Sequence, residues 1–161
     1  MKFSTKTIHA GQTPDPNNGA VMTPLFLTST YVQDGIGKPR QGYEYSRVTN
    51  PTRTALEKNL AALENGKYGM TFGSGMAAID SLFRLLKPHD HIIFSRNLYG
   101  GTYRIANFIW KDYGIQFDFV DTTNMKEIEN ALRDETKMIF IETPTNPTME
   151  SRGEYSSTQS Q

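Results

Sequence analysis

KYGMTFGSGMAAIDSLFRLL, residues 67–86, changes rhythm halfway along. Lys67 to Phe72 reads as a strand. Gly73-Ser74-Gly75 reads as a tight turn. Met76, Ile79, Leu82, Phe83 and Leu86 then recur at helical spacing, and Lys87-Pro88 stops the helix. A glycine turn between a strand and a helix is the connection of a parallel α/β sheet. Backbone N–H groups at such a helix start point outward, and the helix dipole favours an anion there.

The same alternation runs outward from this stretch. Before it, Asn50-Pro51 makes an N-cap and first turn. Leu56, Leu60 and Leu63 follow at helical spacing, and Asn65-Gly66 closes the helix. After it, HIIFS (His91–Ser95) reads as a strand. Thr102 to Tyr113 reads as a helix with Ile105, Phe108 and Ile109 inward. IQFDFV (Ile115–Val120) alternates at period two, as a strand does. Asn124 with Glu127 resembles a capping box, opening a helix with Met125, Ile128, Ala131 and Leu132 on one stripe. KMIFIE (Lys137–Glu142) reads as the last strand. Four strand–helix alternations predict an α/β fold with a parallel sheet and right-handed crossovers. Ligands of such sheets gather outside the carboxyl ends of the strands. That places a candidate site among Gly73–Gly75, Asn97–Gly101 and Thr143–Pro147.

The flanks read differently. Residues 1–50 show little periodicity and carry Pro14, Pro16, Pro24 and Pro39, which predicts an extended N-terminal arm needing another surface to lie on. Residues 51–149 form the α/β domain. From 150 to 161 the chain has one aromatic, Tyr155, and no aliphatic residue, so a disordered tail is expected.

Bulk composition excludes several classes. The 161 residues carry 17 Lys plus Arg and 17 Asp plus Glu, giving net charge zero, which argues against a general nucleic-acid or membrane-surface binder. Without cysteine there is no disulfide, thiolate metal site or thiol nucleophile. His9, His89 and His91 lack zinc-type spacing, and His89 and His91 read as part of a solvated turn around Asp90. No stretch has signal-peptide or membrane-span length, so a soluble cytoplasmic protein is expected.

Gly73-x-Gly75-x-x-Ala78 also fits the loose dinucleotide fingerprint. The acidic residue expected about 20 residues on is absent, since the next strand ends at Ser95-Arg96. Arg96 would have to meet a 2′-phosphate instead. On the turn alone, a phosphate of a dinucleotide, a phosphate of another cofactor and a simple packing turn all stay open.

Four stretches, one of them inside the opening one, extend the reading: GYEYSRVTNPTRTALEKNLAALE (Gly42–Glu64), SGMAAI (Ser74–Ile79), LYGGTY (Leu98–Tyr103) and ETPTNP (Glu142–Pro147). In this order, with KTIHAGQ and TPLFLTSTY ahead of them, they resemble the Cys/Met-metabolism enzymes that use pyridoxal 5′-phosphate (PLP). That family includes cystathionine γ-synthase, cystathionine γ-lyase, methionine γ-lyase and the homoserine-ester sulfhydrylases. The resemblance covers about residues 5 to 148.

The resemblance implies part of a fold-type-I, aspartate-aminotransferase-like large domain. It implies a phosphate cradle at Ser74, Gly75 and Met76. Tyr45 and Arg47 match the pair that reaches the cofactor phosphate of a neighbouring subunit, which makes a homo-oligomer expected. A guanidinium suits a phosphate by charge and by paired donors. Tyr99 matches the tyrosine that stacks on the pyridine ring and assists proton transfer. Asn146 and Glu142 match positions beside the cofactor. The implied activity is β/γ-elimination or γ-replacement on cystathionine, acylhomoserine or methionine-type substrates, foremost that of cystathionine γ-synthase or γ-lyase.

In the family the Schiff-base lysine, the aspartate facing the ring nitrogen and the arginine for the substrate carboxylate follow ETPTNP. None has a counterpart here; Ser4-Thr5-Lys6 mimics the lysine motif but has no strand before it. The expectation is a truncated chain without turnover of its own. Two alternatives accompany this reading: a dinucleotide-binding oxidoreductase using the glycine turn, and a non-catalytic fragment that pairs with full-length subunits.

Overall fold

The computed structural model describes residues 1–145, 148 and 149. The chain forms two compact units, Met1–Phe72 and Gly73 onward.

The first unit holds two helices, α1 (Phe3–His9) and α2 (Pro51–Leu63). α2 begins as its sequence predicts: the Asn50 side chain accepts from the Thr52 amide at 2.9 Å, with Pro51 in the first turn. It ends on Asn65 at φ +54°, and the Gly66 amide donates to the Ala61 carbonyl at 2.8 Å. The left-handed residue is therefore the asparagine rather than the glycine. α1 was not expected, and it changes which face of α2 is covered. Leu56 and Leu60 stay exposed, while Asn59 and Ala61 are buried. Asn59 donates to the carbonyls of Lys6 (3.3 Å) and Ala10 (2.8 Å), at the end of α1. The Ala10 carbonyl lies just past the helix and the Lys6 carbonyl, already bonded to the Ala10 amide, has a second lone pair, so the covered position takes a donor rather than a leucine. From 10 to 50 the backbone has no helix; isolated antiparallel bridges join Thr30 to Tyr45, Gln33 to Pro39 and Arg40 to Tyr43. Lys67–Phe72, expected as a strand, is not one. Its backbone has no ladder partner among the described residues, and a strand exists only by pairing.

The second unit is the predicted α/β layer. Helix α3 (Gly75–Phe83) leads to β1 (His91–Ser95), and α4 (Gly100–Ile105) with a π-helical turn (Ala106–Trp110) leads to β2 (Gln116–Val120). Helix α5 (Met125–Ala131) then leads to β3 (Thr136–Phe140). The strands are parallel in the order β2-β1-β3. β1 is central and buried throughout, as its apolar run requires. Phe83, Ile92, Phe94, Ala106 and Ile115 form the core, with Phe94 stacked on Phe119 at 5.4 Å.

Phe108 and Ile109, expected to point inward, are exposed. Ile105 and Trp110 pack on the core instead. The π-helical turn explains the difference. The Lys111 amide donates to the Ala106 carbonyl five residues back, so one extra residue is wound into the turn. The inward position after Ile105 therefore shifts from Ile109 to Trp110. At α5 the capping box is not reciprocal. Asn124 accepts from the Lys126 amide at 3.1 Å, but Glu127 reaches past it to the Asp121 amide at 2.8 Å.

His91 is the main correction to the composition-level reading. It is not in a solvated turn but fully buried in β1. Its Nδ1 pairs with Thr136 Oγ1 at 2.8 Å, and its Nε2 lies 3.4 Å from the Asp118 carboxylate, which also binds Arg133. Burial first, and the Arg133 charge next, push its pKa below the ordinary 6.5; Asp118 and Glu135 oppose them without cancelling them. A base whose pKa is depressed on folding binds its proton more readily when unfolded. Stability should therefore hold above pH 6.5 and decline as pH falls from there toward the lower folded value. Urea midpoints across this range are expected to show that slope, and His91→Gln to flatten it.

Candidate active site

The glycine turn is built by a cap. Ser74 is extended (φ −159°, ψ 159°), and its Oγ accepts from the Ala77 amide at 3.1 Å. This starts α3 at Gly75 and leaves the amides of Gly75 and Met76 without helical acceptors. A Cβ added at Gly73 or Gly75 would meet nothing within 4 Å, and neither glycine has a positive φ. Neither backbone conformation nor packing within the chain demands glycine here. What the two glycines provide is clearance over a helix N-terminus, where an anion is favoured.

A second loop comes to the same place. Tyr99 precedes α4, its amide donates to Glu142 Oε2 at 2.8 Å, and its ring is half exposed. Gly101 makes this arrangement possible. A Cβ there would lie 2.4 Å from Tyr99 Cε1 and 2.8 Å from Met76 Sδ. The ring of Tyr99 and the side chain of Met76, from the first turn of α3, thus meet over a residue with no side chain of its own.

The floor beneath is a polar network at the carboxyl ends of the three strands. Ser95 Oγ and Thr122 Oγ1 are buried and 2.9 Å apart, and the Glu142 amide donates to Ser95 Oγ at 3.3 Å. The cleft between Ser95, Thr122, Glu142 and Thr145 has about 10 Å³, room for one water and no more. Arg96 is paired with Asp121 at 2.8 Å. Hydrogen bonds from Thr123 to Asp121, with help from Arg96, hold that carboxyl below its usual range. The guanidinium that a dinucleotide reading needs is therefore already engaged.

Ser74, Gly75, Met76, Tyr99 and Glu142 all lie in the second unit. Tyr45 and Arg47 lie in the first, where the Arg47 guanidinium sits 4.8 Å over the Tyr45 ring. Asn146 lies outside the described residues, as does the segment from 150 to 161. Three residues escaped the sequence reading. Ser95 and Thr122 look like ordinary strand ends, and no local pattern reveals their contact across 27 positions. Gly101 was visible as the second glycine of LYGGTY, but only the ring beside it shows what it does. Among the described residues no group of His, Asp or Glu is placed to hold a metal, and no helix is long and apolar enough to cross a membrane.

Comparison with known proteins now bears on these features. The family model for Cys/Met metabolism PLP-dependent enzymes matches residues 4–152. The chain is 48% identical over 147 residues to the cystathionine gamma-lyase of Bacillus subtilis, covering 91% of this chain and 38% of that protein. It is 47% identical over 146 residues to the cystathionine beta-lyase of Coxiella burnetii, with 90% and 38% covered. The crystal structure of metB from Corynebacterium glutamicum superposes with a TM-score of 0.88 at 47% identity, over 94% of this chain and 40% of that one. The chain thus spans less than half the length of the relatives it matches. Relatives with different printed activities match almost equally well, but all lie within one family, and the match runs through both compact units. The chain belongs to the Cys/Met-metabolism family of PLP-dependent enzymes.

Proposed function

We propose that this chain provides the phosphate cup and the ring-stacking side of a PLP site for elimination or replacement on sulfur amino acids or activated homoserine, of the cystathionine γ-synthase or γ-lyase kind. The observation that carries the reading is the clearance over Gly73 and Gly75 at a capped helix start. The amides of Gly75 and Met76, with Ser74, donate to the phosphate. The Tyr99 ring would stack on the pyridine, with Glu142 fixing its loop through the Tyr99 amide. Tyr45 and Arg47 supply further phosphate donors in a homo-oligomer, and Asn146 stands beside the cofactor. When bound there, PLP would supply an electron sink that makes the substrate Cα proton acidic. The chain's part is to hold the anion, orient the ring and present the Tyr99 hydroxyl where a proton moves.

Trp110 is the single tryptophan and a direct probe. Its fluorescence is expected to be quenched saturably by PLP, with competition from inorganic phosphate and none from NADPH. Saturable NADPH binding that PLP does not displace would favour a dinucleotide site. Absence of any saturable PLP binding would overturn the proposal.

A further inference from the structure

One face of α2 holds two segments that the PLP reading makes functional. Arg53 and Glu57 lie four residues apart on it, 3.7 Å from each other. The Arg53 guanidinium donates to the carbonyl of Arg47 at 3.4 Å and to the carbonyl of Val48. These two carbonyls belong to the tight turn in which the Tyr45 carbonyl accepts from the amides of Val48 (2.9 Å) and Thr49 (3.0 Å). Glu57 Oε1 accepts from the amide and the hydroxyl of Thr71, at 3.1 and 2.9 Å. Thr71 comes two residues before Gly73 in the sequence. The segment is pressed onto α2: a Cβ at Gly69 would lie 2.3 Å from the Glu57 carbonyl oxygen.

The i,i+4 pairing of Arg53 with Glu57 adds only weakly to α2 itself. Asn50 already caps it. Both side chains are partly buried, and both bond groups of other segments. A guanidinium has a fork of donors that can hold two carbonyls at once, which an ammonium does less well. We infer that Arg53 and Glu57 are a positioning pair. Arg53 fixes the turn that presents Tyr45 and Arg47 to a phosphate, and Glu57 ties Thr71 to the same helix face. This rests on the PLP reading above, and it adds residues that touch no cofactor atom themselves.

The test uses the full chain and two probes, PLP and pyridoxal, which lacks the phosphate. If Arg53 acts through Arg47, Arg53→Gln weakens PLP about 10- to 150-fold, the range for one hydrogen bond to a charged group. It leaves pyridoxal unchanged, so the ratio of the two affinities falls. Arg53→Lys keeps the charge and one donor and recovers part of the loss. Arg53→Gln placed on Arg47→Gln adds no further loss, because the residue it positions is gone. An unchanged ratio in Arg53→Gln, or an additive loss in the double variant, would overturn the inference while leaving the PLP site standing. Failure of the unsubstituted chain to bind PLP would instead remove the reading beneath it. Should Arg53→Gln not fold, the ratio in Arg53→Lys decides in the same way.

Discussion

Phe94→Ala is expected to destabilise the chain by about 3–5 kcal/mol, the range for an aromatic removed from a close-packed core. Phe94 is fully buried in the central strand. Its ring meets Phe83 at 6.0 Å, Phe117 at 5.9 Å, Phe119 at 5.4 Å and Phe140 at 5.6 Å, so every strand and α3 pack on one side chain. Four neighbours, three held by strands and one by α3, cannot collapse into the hole together. Typical domains have only about 5–15 kcal/mol in total, so this is a large share. The next residue is Ser95, whose Oγ receives the Glu142 amide, and Glu142 in turn holds the Tyr99 amide. Cofactor affinity should therefore fall along with stability. Urea denaturation measures the first and PLP titration the second. Phe94→Leu should lose less of both. A loss below about 1 kcal/mol for Phe94→Ala would mean that these rings are not the core.

Gly101→Ala is expected to separate binding from stability. Alanine is favoured over glycine inside a helix by about 1 kcal/mol. The added Cβ would overlap Tyr99 Cε1 and Met76 Sδ, and overpacking typically costs about 1–3 kcal/mol. The net change in melting should be small, because the Tyr99 ring is half exposed and can swing outward. On the proposed PLP reading, swinging outward removes it from the cofactor ring. An aromatic pair is worth about 0.5–1.5 kcal/mol, so PLP affinity should drop about 2- to 12-fold. Tyr99→Ala should lose a similar amount, and the double variant little more than either, since both remove one ring. Unchanged PLP affinity in Gly101→Ala would show that Tyr99 does not need its observed position.

Much of this architecture is legible locally. HIIFS is apolar at every position but its ends, and it is the central strand. IQFDFV alternates, and Phe117 and Phe119 turn to the core while Asp118 faces His91 and Arg133. The cap at Asn50 and the start of α3 at Ser74 follow from single residues and their immediate neighbours. The misreadings share a different origin. The leucine stripe of α2 was plausible until α1 covered Asn59. KYGMTF had strand composition but no neighbour to pair with. Ile109 sat at the correct spacing for an α-helix, and the π-helical turn moved that position to Trp110. Each outcome depended on a segment that the local pattern does not contain.

The sequence by itself determined the α/β class, the order of strands and helices from α3 onward, and a glycine turn at a helix start. Hydrophobic period and capping act over a few residues, so they are written there. Tertiary structure alone decided that Gly101 makes room for the Tyr99 ring beside Met76. It likewise decided that Glu142 secures that loop and that His91 is buried. These are matters of clearance, paired donors and lost solvent between residues distant in sequence, and they arise only once the strands are side by side.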